Sequence, residues 1–118
     1  MRRVRLDRRE PQERRERIGQ PGAAAGANAI VRSVDFYVAA NSENGGISLC
    51  QPGEVATGGG ASPGGVTAGQ IFPLQSVPSD AAGLVSSSGQ APRGWRVIMY
   101  NGTASPRTST VYAICVPA

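Results

Sequence analysis

The chain has no histidine and no lysine among its 118 residues, and each absence excludes chemistry. Without imidazole there can be no Ser-His-Asp or Cys-His nucleophile system, and the commonest metal ligand is missing. Two cysteines alone cannot complete a four-ligand zinc site. Aromatic residues make up 5% of the chain, with Trp95 the single tryptophan, so a core must be thin and built of Val, Ile, Leu and Ala. No apolar run approaches the roughly 20 residues of a membrane span, and no apolar segment follows the charged first residues as an export signal requires. On that reading the chain is made in the cytoplasm, stays off the general secretory route and has no membrane partner. Thr57-Gly58-Gly59-Gly60 lacks the Gly-Lys-Ser/Thr continuation of a phosphate loop, and glycine does not recur at every third position as in collagen. The expectation is a protein that is not an enzyme, with no cofactor, metal or catalytic residue.

With lysine absent, every cation is a guanidinium, which suits forked contacts to carboxylate and phosphate. A GC-rich coding sequence gives the same composition. The charge is unevenly placed. Residues 1–22 hold eight arginines (Arg2, Arg3, Arg5, Arg8, Arg9, Arg14, Arg15 and Arg17) against Asp7, Glu10, Glu13 and Glu16, a net +4. The remainder holds Arg32, Arg93, Arg96 and Arg107 against Asp35, Glu43, Glu54 and Asp80, a net charge of zero. Residues 1–19 therefore read as an arm. Pro11 suits a first helical turn, Glu10–Arg14 and Glu13–Arg17 are favourable i,i+4 pairs, and Gly19 is a stop. Only Val4, Leu6 and Ile18 could bury, so the isolated arm is a frayed helix or disordered. It reads as a solvated tail, as a phosphate-binding segment for nucleic acid, or as a segment held in a groove of an acidic protein by Arg–carboxylate forks. The interleaved acids repel a phosphate backbone, which favours the protein partner over nucleic acid.

Residues 20–29 are a small-residue linker. From residue 30 to 118 the pattern is that of an all-β domain: a small antiparallel sandwich or barrel of about seven short strands. Ile30–Val38 alternates, with Ile30, Val34, Phe36 and Val38 on one face. Asn41–Gly46 reads as a turn, and Ile47–Cys50 and Glu54–Thr57 as short strands around a Gln51-Pro52-Gly53 turn. The glycines from Gly58 to Gly65 suggest a bulge or a close backbone approach. Gln70–Leu74 and Leu84–Ser87 are further strands. Gly94–Asn101 sets Trp95, Val97 and Met99 against Arg96, Ile98 and Tyr100. Thr108–Val116 sets Val111, Ala113 and Cys115 against Thr110, Tyr112 and Ile114.

A few side chains have competing readings. Cys50 and Cys115 are either two buried thiols or a disulfide, and the disulfide is expected because a thin core needs a staple. Subunit association would serve the same need, so a homo-oligomer is expected too. Trp95, after Arg93-Gly94, is a core anchor or a platform for a sugar, and the core anchor is favoured. Asp35 and Glu54 could be paired as in a glycosidase, but nothing in their spacing selects that. Asn101-Gly102-Thr103 has the form of a glycosylation acceptor, which a turn tripeptide often shares by chance.

Three stretches carry a resemblance: Leu49-Cys50-Gln51-Pro52-Gly53 through Gly58-Gly59-Gly60, Pro92-Arg93-Gly94-Trp95, and Val111-Tyr112-Ala113-Ile114-Cys115. In this order they resemble a small β module of actinobacterial and actinobacteriophage proteins, over about residues 30–118, with Gln51 a departure where small residues are usual. The resemblance implies paired cysteines and an exposed β domain, and no known catalytic activity. An arm before a compact β domain is similar in architecture to a phage decoration or fibre-type protein. The leading expectation is a virion protein, a capsid decoration protein whose arm binds the major capsid or tail protein and whose domain is displayed outward, within reach of a host surface glycan. The alternatives are a secreted or surface-attached adhesion or carbohydrate-binding module, outside the cell, and a nucleic-acid-binding protein using the arm.

Overall fold

A computed structural model of the protein describes residues 28–65 and 69–118. The arm, with its eight arginines, and nearly all of the linker lie outside the described residues. The expected all-β architecture is observed. Six strands, β1 (Ile30–Val38), β2 (Ser42–Leu49), β3 (Glu54–Ser62), β4 (Ile71–Ser79), β5 (Gly94–Asn101) and β6 (Arg107–Pro117), form two sheets, β1-β6-β3 and β2-β5-β4. All pairings are antiparallel. Among the described residues no strand of one sheet pairs with a strand of the other, so the domain is a sandwich rather than a barrel.

The best-patterned strands, β5 and β6, are the middle strand of each sheet, where both edges are paired and one face is buried. Val97, Met99, Val111, Ala113 and Cys115 are fully buried, as their alternation predicts. Val38, Ile71, Val97, Met99 and Val111 form one buried cluster, and Cys50, Ala56, Ala113 and Cys115 form another. Trp95 packs against both and joins them. Three side-chain bonds also cross between the sheets: Ser48 Oγ to Arg32 O (2.7 Å), Asn44 Nδ2 to Tyr37 O (2.6 Å) and Asn101 Nδ2 to Val38 O (3.1 Å).

Four elements differ from their sequence reading, and six strands stand where about seven were expected: β3 runs on past Thr57 through the glycines to Ser62. Asn44-Gly45-Gly46 is not a turn but lies inside β2, and the turn is only Ala40–Asn41, with Asn41 at φ 53°. Gly46 has a packing reason to sit in a strand, because a side chain there would collide with the ring of Phe36. β4 runs on to Ser79 through Pro73 and Pro78, which is permitted because it is an edge strand, and a register shift falls between Pro73 and Gln75. Leu84–Ser87 is a loop that touches the sheet by one Ser79–Val85 bridge. Its conformation is set by Asp80, whose carboxylate accepts from the N–H groups of Ala82 and Leu84, both at 2.9 Å.

Candidate functional site

The Cys50–Cys115 disulfide is formed, with the two Cα atoms 5.7 Å apart. Cys50 follows β2 and Cys115 lies in β6, so the bond clamps one sheet to the other at one end of the sandwich. Beside it, Arg32 and Glu54 form a forked ion pair with N–O distances of 3.0 and 2.7 Å. The fork, helped by the N–H of Gln51, holds the Glu54 carboxyl down at about 2, well below its ordinary range. The same hydrogen bond raises Arg32. Ligand atoms of Cys50, Glu54 and Cys115 lie within 4.8 Å of one another, yet the two sulfurs are bonded together and the carboxylate is committed to Arg32. This corner is therefore built as a staple and a fork.

Trp95 sits inside the sandwich, half-buried, with its indole N–H donating to Ser76 Oγ at 2.9 Å. Its bed is Gly59, where any Cβ would collide with the indole. The glycine run thus gives both features its sequence suggests: a register shift between Ala56 and Gly58, and a close approach at Gly59. Asp35 and Glu54 are not brought together. Glu54 is bound to Arg32 on the inner side, whereas Asp35 lies on the opposite face of β1 and accepts from Thr110 Oγ1 at 2.7 Å. Asn101 is fully buried: its Nδ2 donates to Val38 O and Ser105 O, and its Oδ1 accepts from Thr103. In the folded domain its amide is out of reach of a glycosyl transfer.

The outer face of the β1-β6-β3 sheet is mixed: Val31, 61% exposed, lies beside Tyr112 and Ile114 of β6, and Tyr37, 59% exposed, is separated from them by Ser33, Asp35 and Thr110. The register sets Val31 against Ile114 and Gly60 against Tyr112, and the space over Gly58 and Gly60 is open. On the other sheet, Phe72 and Tyr100 meet in a tilted contact, with ring centroids 5.5 Å apart and planes at 46°. The loop after β4 packs on part of that outer face: Gly83 rests on Ile47 and its carbonyl accepts from Arg96 at 3.0 Å.

Sequence reasoning did not find the Arg32–Glu54 fork or the Asn101 hub. The fork joins residues 22 apart and the Asn101–Val38 bond residues 63 apart, so no local spacing signals either. Among the described residues, no helix is long and apolar enough to cross a membrane. Comparison with protein-family models, with curated proteins and with solved structures finds no match.

Proposed function

We propose that the protein is a non-catalytic structural component of a phage particle, a capsid decoration protein. In this reading residues 1–19 grip an acidic surface of the major shell or tail protein, and the sandwich is displayed outward in several copies. The observation that carries it is the separation of charge from fold. The excess of +4 lies before Gly22, while the stapled domain is neutral. A guanidinium-rich segment with interleaved acids suits a protein surface of mixed sign, and forked Arg–carboxylate pairs supply its affinity. Val31, Tyr112 and Ile114, exposed together on neighbouring β1 and β6, support contact between copies or with the particle.

The exposed Tyr37 and Tyr112 favour a second reading, a surface module that binds carbohydrate. Mass spectrometry of purified particles separates the two. The decoration reading expects this chain in the particle in a fixed ratio to the shell protein, and its absence there refutes that reading.

A further inference from the structure

β1 presents Ser33, Asp35 and Tyr37 on the outer face of its sheet, and the register with β6 sets Thr110 opposite Asp35. Thr110 Oγ1 donates to Asp35 Oδ1 at 2.7 Å, which holds the exposed carboxylate in place by one oxygen. Among the described residues no cation pairs with it; the ion pair formed there is Arg32–Glu54. Tyr37 lies two residues further along the same face, and Tyr112, which opposes Ser33, is the diagonal neighbour of Asp35 on β6. Diagonal neighbours sit about 7–8 Å apart, within reach of aromatic side chains. Both rings are exposed, Tyr37 at 59% and Tyr112 at 36%.

A carboxylate fixed by one oxygen and flanked by two exposed rings suits a guanidinium. The planar fork meets the carboxylate at its edge, while its faces attract the rings. The four arginines of the domain are placed elsewhere. Arg32 is bound to Glu54 on the inner side, and Arg96 to Gln75 and the Gly83 carbonyl on the other sheet. Arg93 precedes β5 in that other sheet, and Arg107 opposes the buried Val38.

We propose that Asp35, Tyr37 and Tyr112 form a guanidinium seat for the arm of the same chain, filled by one of its last three arginines, Arg14, Arg15 and Arg17. Charge favours the contact, since the arm carries the whole excess of +4 and the domain is neutral. The reach also fits. Asp35 lies about 17 Å along β1 from Ile30, where the strand begins. A chain of small residues as long as that from Arg14 or Arg17 to Ile30 spans roughly 18–24 Å. A tether whose span matches the distance gives an effective concentration in the millimolar range, so even a weak surface pair forms within one molecule before a second copy competes. Seating the root of the arm leaves Arg2, Arg3, Arg5, Arg8 and Arg9 for an outside partner. The seat needs no particle, so it can fail while the proposed attachment stands, and the reverse.

The test is NMR of the full-length, isotopically labelled chain against a variant with Arg14, Arg15 and Arg17 replaced by glutamine. The substitutions lie outside the sandwich, and their effect is read inside it. The signals of Asp35, Tyr37, Thr110 and Tyr112 should shift, and those of the other sheet should stay in place. Salt at about 1 M should reproduce the shift in the unsubstituted chain, because it screens an exposed pair. In an Asp35→Asn background the arm substitutions should no longer move Tyr37 and Tyr112, a coupling that general charge effects do not produce. The shift should persist on about tenfold dilution, as an intramolecular contact requires. No shift at these residues overturns the proposal, as does an equal shift in the Asp35→Asn background. A shift lost on dilution overturns it too, and assigns the seat to the arm of a second copy.

Discussion

The indole of Trp95 occupies the space that any side chain at Gly59 would need. Phe36 and Gly46 repeat the relationship in the opposite direction, with an aromatic ring of one sheet set on a glycine of the other. A chain with few aromatics thus fills a thin sandwich by pairing its larger rings with absent side chains. Gly59→Ala should therefore lower the unfolding free energy by about 1–3 kcal/mol, the usual cost of overpacking. Gly60→Ala, facing open space, should change it by less than about 0.5 kcal/mol. Urea unfolding followed by Trp95 fluorescence reads both, and equal effects would contradict the pairing.

The disulfide closes a loop with a sequence separation of 65. Loop-closure entropy for that length gives about 4 kcal/mol, a large share of a small domain's stability. Reduction should lower the urea midpoint accordingly. Alkylation of the unfolded chain should add no groups before reduction and two after it.

Glu54 titrates at about 2 in the folded domain, below its ordinary 4.5, because Arg32 and the Gln51 N–H hold it ionised. Its contribution is fully present above pH 4.5 and is lost as the pH falls from there towards 2. Stability measured across that interval should decline with acid. Glu54→Gln should flatten the decline and lower stability at neutral pH, and an unchanged slope in the variant would assign the acid sensitivity elsewhere.

Asn101 ties β5 to the carbonyl of Val38 and organises the Thr103–Ser105 turn. Asn101→Ala leaves these buried groups unpaired and should cost about 1–3 kcal/mol. Asn101→Asp keeps the acceptor for Thr103 but loses both Nδ2 donors, so it should also destabilise. A neutral result for both substitutions would remove Asn101 from its place in the fold.

The middle strands were legible in the sequence because burial on one face forces strict alternation, as at Trp95, Val97 and Met99. The edges were not. Gly45 and Gly46 have turn composition, and only the ring of Phe36 across the sandwich explains why Gly46 belongs in β2. Val85 has strand composition, but Asp80 gathers the preceding N–H groups into a turn and leaves a single bridge. The disulfide could be expected from two cysteines in a thin-cored domain, whereas the seat at Asp35 depends on the register of β1 with β6 that brings Tyr112 beside it.

The central claim is that the arginine arm, and not the sandwich, carries attachment to the particle. Its most direct test is co-sedimentation with purified shells, comparing the full chain with a variant in which the eight arginines before Gly19 are alanine. The reading predicts that the unsubstituted chain sediments with shells, and that the variant stays in solution with its disulfide and thermal unfolding unchanged. Equal sedimentation of the two chains would contradict it.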